Sequence, residues 1–101
     1  MKAWQIIEQN GWCQKVNARS DKGRSCSPIS DKAVSFCIFG AIDRKHTSKY
    51  GAVDAIGVYD DVNSVQDKLQ ATDQHALISV WNDHPERTKE EVIALLKELD
   101  I

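Results

Sequence analysis

The sequence predicts a mostly α fold: a compact small helical domain spanning residues 1–101, with room for one short β-ribbon near residues 16–27. Three observations carry this. Apolar residues recur at helical spacing between 31 and 45 and again between 89 and 99. Thr88 and Glu91 form a capping-box pair at the start of the second stripe. The 42% apolar and 28% charged residues of the 101-residue chain are those of an ordinary globular protein.

The elements follow in order. A first helix is expected at 2–9, with Trp4 and Ile7 on one face and Ile6 beside them, ended by a left-handed residue at Asn10-Gly11. Trp12, Cys13 and Val16 form a second small apolar group, in a helical turn or a short strand. Residues 17–29 read as a loop around the Asp21-Lys22-Gly23 turn, with VNAR as one arm of the ribbon. The central helix is placed at 31–45. Ser30 is its N-cap, Ile29 and Val34 are its staple, and Val34, Cys37, Ile38 and Ala41 are its buried stripe. Gly40 inside that stripe implies close approach of another helix. Residues 50–72 suggest two short helices, broken at Asp60-Asp61 and restarted by Ser64, with a strand at AIGVY as the rival, and Thr72-Asp73-Gln74 is a connector. Ala76, Leu77, Val80 and Trp81 fit one helical face. The last helix buries Val92, Leu95, Leu96 and Leu99.

Charge and composition narrow the function classes. The net charge of −2 divides as +3 over residues 1–30, zero over 31–60 and −5 over 61–101. Lys15, Arg19, Lys22 and Arg24 make the first third a weak nucleic-acid candidate, since no aromatics are interleaved with the charges. No apolar run is long enough for a membrane helix, and the first residues lack a secretory core, so a cytoplasmic protein with no membrane partner is expected. Cys13, Cys26 and Cys37 stand 13 and 11 residues apart, and His46, His75 and His84 are isolated. Neither pattern fits a zinc site, and reduced thiols are the simplest account. No cofactor or metal is expected.

The stretch SVWNDHPERTKEEV, residues 79–92, is the most chemically loaded. A thiol at Cys13 or Cys37, with His84 as base and Asp83 or Asn82 orienting it, supplies the residue types of nucleophilic catalysis. Cys37 on an apolar helix face reads as an inert small hydrophobe, which leaves Cys13 as the better thiol. The structural alternative explains every residue. Trp81 anchors the turn, Asn82 and Asp83 bond nearby backbone, Pro85 stops the incoming helix, and Thr88 starts the next. The candidate pocket or structural turn therefore comprises Trp12, Cys13, Gln14, Trp81, Asn82, Asp83 and His84.

Three motifs, GWCQ at 11–14, SFCIFGAI at 35–42, and VWND followed by RTKEEVIALL within 80–96, resemble a family of small bacterial proteins known only as a domain of unknown function. Its pattern is a Trp-x-Gln, a Cys-x-x-Gly-Ala helix, and a Trp-Asn-Asp turn before an Arg-Thr-capped helix. Residues 43–75 match it poorly. The resemblance implies a small, mostly helical domain and brings no activity. Three readings of function compete. The first is a protein-binding or regulatory module, as mobile elements and phages direct against host systems, with another protein as partner. The second is a small-ligand binder or thiol-dependent enzyme with a pocket near Trp12, Cys13, Trp81 and Asp83. The third is a nucleic-acid contact through the basic first third.

Overall fold

The computed structural model describes residues 1–71 and 76–101. Helix α1 (Ala3–Gln9) buries Ala3, Ile6 and Ile7, and the Gln5 side chain accepts from the Lys2 N–H at its start (2.8 Å). It ends differently from expectation. Asn10 stays right-handed (φ −108°), and its side-chain amide donates to the Ile6 carbonyl (2.9 Å), so no left-handed glycine is needed.

Strands β1 (Ala18–Ser20) and β2 (Ala33–Phe36) pair antiparallel, and Trp12 pairs in parallel along the other edge of β2 at Phe36. The expected ribbon therefore exists, but its main second arm is β2, and only the Arg19–Ser25 bridge falls within 16–27. The helix expected at 31–45 is thereby corrected. The register places Ser20 opposite Ala33 and Arg19 opposite Ser35, leaving Val34 as an extra residue in a bulge. The bulge breaks the two-residue alternation, so Ala33 and Phe36, three apart, are both buried while Val34 is exposed. A bulged strand thus imitates helical spacing. Ile29 and Val34 form no staple, as both are exposed, and Ser30 accepts from the Lys32 N–H within a turn.

Cys37 caps the helix that follows, α2 (Ile38–Lys45), its Sγ accepting from the Gly40 N–H at 3.4 Å. The close approach expected at Gly40 is present, but the partner is a loop, not a helix. A methyl group there would overlap the Asn17 carbonyl, whose carbon would lie 2.8 Å away, and that carbonyl accepts from the Cys37 N–H (3.1 Å).

The next helix, α3 (Ala55–Gln70), is continuous where two short helices were expected, and the rival strand at AIGVY is its first turn. Asp54 caps it by accepting from the Gly57 N–H (3.0 Å). Mid-helix Asp costs only about 0.7 kcal/mol, and Asp61 is held by Lys45 Nζ (2.7 Å) and His46 Nε2 (2.6 Å). Thr72-Asp73-Gln74 and His75 lie outside the described residues.

The buried residues of α4 (Ile78–Asn82) are Ile78, Trp81 and Asn82; Leu77 and Val80, placed inward by the sequence reading, are exposed. The capping box of α5 (Lys89–Glu98) forms as expected. That helix ends on Asp100 at φ 56°, with Ile101 N–H bonded back to Leu96 O and Asp100 N–H to Lys97 O. Ile101 is buried, and its carbonyl accepts from the Ala3 N–H (2.6 Å), which ties α5 to α1. Five helices and two strands among the described residues share one core, with Ile7, Phe36, Ile38, Ile42, Val65, Ile78, Val92 and Leu96 at its centre. Among the described residues, no helix is long and apolar enough to cross a membrane.

Candidate functional site

The two halves of the candidate cluster, about 70 positions apart in sequence, meet in space. Pairing of Trp12 with β2 leaves residues 12–15 running past the end of α4. Asn82, 2% exposed, is the hub. Its Oδ1 accepts from Trp12 Nε1 (3.0 Å) and from the Ile38 N–H (3.2 Å) at the start of α2. Its Nδ2 donates to the Cys13 carbonyl (3.2 Å) and to Asp83 Oδ1 (2.9 Å). One amide thus joins α4, the Trp12 segment and α2. The expected local backbone bonds of Asn82 are corrected to long-range ones.

The neighbours complete a clamp. Gln14 Nε2 donates to the carbonyls of Asn82 (3.1 Å) and His84 (2.8 Å). Asp83 Oδ1 accepts from the Lys15 N–H (2.8 Å), with Lys15 in the left-handed region at φ 73°. A non-glycine residue there costs of the order of 1 kcal/mol, which the Asp83 and Gln14 bonds offset. Trp81 is buried, with the Arg87 guanidinium 3.8 Å from its ring centroid, and Arg87 Nε donates to the Trp81 carbonyl (2.9 Å). His84 is exposed, and its Nδ1 accepts from the Glu86 N–H (3.1 Å).

The thiols are set up poorly for attack. Burial raises the Cys13 thiol above its ordinary value, and its Sγ donates to the Val16 carbonyl (3.6 Å). Burial pushes Cys37 up to about 11, and its sulfur is engaged with Gly40 N–H and Asn17 Oδ1. Cys37 is a helix cap rather than a residue of the apolar helix face. Asp83 faces Lys15 and Asn82, and His84 faces Glu86, so Cys, His and Asp do not form a hydrogen-bonded series. The cavity beside this node, lined by residues including Cys37, Asn17, Asn82 and Asp83, measures about 80 Å³. That is room for a few waters, against roughly 300–1,000 Å³ for a small-molecule site. A larger depression of about 670 Å³ borders Trp81 and His84, but Arg87, its one cation among the described residues, is already bonded to Trp81 and Glu91.

Other candidates disperse. Arg19 spends its guanidinium on the Gly23 and Gln14 carbonyls, which leaves Lys15, Lys22 and Arg24 exposed in the basic third. All three cysteines are free, and among the described residues no group of three or more His, Cys, Asp and Glu is arranged to hold a metal ion.

Two features escaped the sequence reading. The first is the Lys45–His46–Asp61 cluster between α2 and α3. Gly57 makes room for it, since a methyl group there would lie 2.5 Å from His46 Nδ1. Burial alone raises the Asp61 carboxyl, but the hydrogen bonds from Lys45 and His46 outweigh burial and hold it below the usual carboxylate range. The second is an exposed apolar segment: Tyr50, Val53, Ile56 and Tyr59, every third residue from the loop before α3 into its second turn. In the sequence, Ile56 and Tyr59 fit a helical face together with Ala52, Ala55 and Val62.

A family model described as a family of unknown function (DUF6197) matches residues 1–99, and the chain belongs to that family. The comparisons with curated proteins and with solved structures match nothing.

Proposed function

We propose that this family member is a protein-binding module and that its contact face is the segment from Tyr50 to Tyr59. One observation carries the reading. Tyr50, Val53, Ile56 and Tyr59 are between 54% and 85% exposed, while α3 packs Val58, Val62, Val65 and Leu69 against the core instead. Scattered apolar residues are normal on a surface; a regular series with two tyrosines is not. Tyrosine and branched aliphatic side chains bring large contact area at small entropic cost. Covering Ile56 in full is worth roughly 1.5–3 kcal/mol. The clamp around Asn82 supports the same reading from the other side, because its polar groups are occupied by one another. Three free thiols, two of them buried, suit a reducing cytoplasmic setting.

The test is site-specific photo-crosslinking in cells. A crosslinking amino acid at position 59 is expected to trap a discrete partner that the same group at Glu90, exposed on α5, does not. The adduct is expected to vanish in Ile56→Asp at unchanged melting temperature. Equal yields from positions 59 and 90 would refute the face.

A further inference from the structure

Resting on that reading, the charge pattern of α3 defines the partner. At 3.6 residues per turn, Ile56, Tyr59, Asp60, Asn63, Asp67 and Gln70 share one outward stripe, and all six are exposed. Its only charges are Asp60 and Asp67, seven residues apart, or about 10.5 Å along the helix. Neither carboxylate has a hydrogen-bond or ion-pair partner among the described residues. The cations that could neutralise them are engaged elsewhere: Lys68 with Glu98 (2.7 Å) and Lys45 with Asp61 (2.7 Å). An apolar end followed by an acidic edge two turns long is a surface complementary to one kind of helix.

We propose that the occupant is a cationic amphipathic helix of another protein. It lies along α3 with its apolar side chains on Ile56 and Tyr59 and with Lys or Arg two turns apart facing Asp60 and Asp67. Recognition between two amphipathic helix faces takes its affinity from the apolar anchors and its selectivity from the charged rim. A second copy of this chain fits poorly, because pairing the stripe with itself antiparallel about Asn63 and Ser64 sets Asp60 against Asp67.

The experiment uses the full chain and synthetic amphipathic helical peptides about five turns long, identical on the apolar face and cationic, neutral or anionic on the other. Fluorescence anisotropy reads binding at physiological ionic strength, and sedimentation reads self-association. The cationic peptide is expected to bind best and to be lost in Ile56→Asp. The double variant Asp60→Lys, Asp67→Lys is expected to weaken it about tenfold or more and to gain the anionic peptide, whereas Glu90→Lys matches wild type. All these positions are exposed, and equal melting temperatures confirm folding. If the neutral or anionic peptide binds as well and is still lost in Ile56→Asp, the face stands and the cationic partner is wrong. If Glu90→Lys weakens binding as much as the double variant, only general acidity is at work and the inference falls. A dimer dispersed by Ile56→Asp makes a second copy the occupant and overturns it. If no peptide responds to Ile56→Asp, the inference and the contact face fall together.

Discussion

Replacing Asn82 with alanine deletes four hydrogen bonds at a site 2% exposed. Two of the partners abandoned are backbone groups, the Ile38 N–H and the Cys13 carbonyl, in bonds closed from solvent. Each buried orphan costs about 1–3 kcal/mol. Trp12 Nε1 is only partly buried and recovers water, so it adds little. Water entering from the adjacent 80 Å³ cavity repays part of the loss. The expected net is therefore about 3 kcal/mol, with about 2 as the floor. This exceeds the roughly 0.5–2 kcal/mol of a lost cap, the scale a solvent-facing turn asparagine would have. Equilibrium urea unfolding, with the slope checked against wild type, measures it. A double-mutant cycle with Trp12→Phe then isolates the Trp12–Asn82 bond. An Asn82→Ala midpoint indistinguishable from wild type, with a well-folded spectrum, would mean that the amide is not the hub described.

Gly40→Ala is expected to cost at least about 3 kcal/mol or to prevent folding, because its methyl group displaces the Asn17 carbonyl and with it the Cys37 N–H bond; thermal melts read this. Cys37→Ser is expected to stay within about 1 kcal/mol of wild type, since a hydroxyl caps a helix well, whereas Cys37→Val loses the cap and costs about 1–2 kcal/mol. For a Cys37 on an apolar helix face the serine would be the damaging change, so the order of the two urea midpoints decides. Asp61 has a depressed folded pKa, so its contribution is present above the ordinary carboxyl pKa and is lost as pH falls through the folded value. Asp61→Asn is therefore expected to flatten the acid limb of stability from the ordinary carboxyl range downward, and an unchanged limb would contradict the Lys45–His46–Asp61 cluster.

The parts of the fold that were legible in the sequence are those set by local chemistry. The Thr88–Glu91 capping box and the leucines of α5 need no knowledge of the rest of the chain, and α1 is nearly as self-contained. Residues 31–45 were misread because β2 is specified by partners in β1, Ala18 to Ser20, that lie outside any local window, and because it carries a bulge. With Val34 squeezed out, Ala33 and Phe36 take the i, i+3 spacing of a helix face, and the real helix then follows without a gap. Residues 55–70 failed in the opposite direction. Asp60, Asp61 and Gly57 look like breakers one at a time, yet Gly57 seats His46, and Asp61 is held by Lys45 and His46 at the end of α2.

The candidate cluster shows why residue types alone argue poorly for catalysis. Trp12, Cys13 and Gln14 were grouped with Trp81, Asn82, Asp83 and His84, and the chain brings them together. What could not be read was the direction of each polar atom. The phase of α4 held the one usable signal: Ile78, Trp81 and Asn82 at i, i+3 and i+4 place an amide in an otherwise apolar stripe. A buried asparagine must find partners for two donors and two acceptor lone pairs, and Asn82 finds four across three segments. A polar residue fixed in this way specifies which segments may meet, because any other packing leaves the amide unsatisfied. Tyr50, Val53, Ile56 and Tyr59 pose the converse case, apolar side chains at core-like spacing that the core does not use. The Asn82 amide, satisfied internally, explains the fold, and the exposed apolar series is the observation on which the proposed contact face rests.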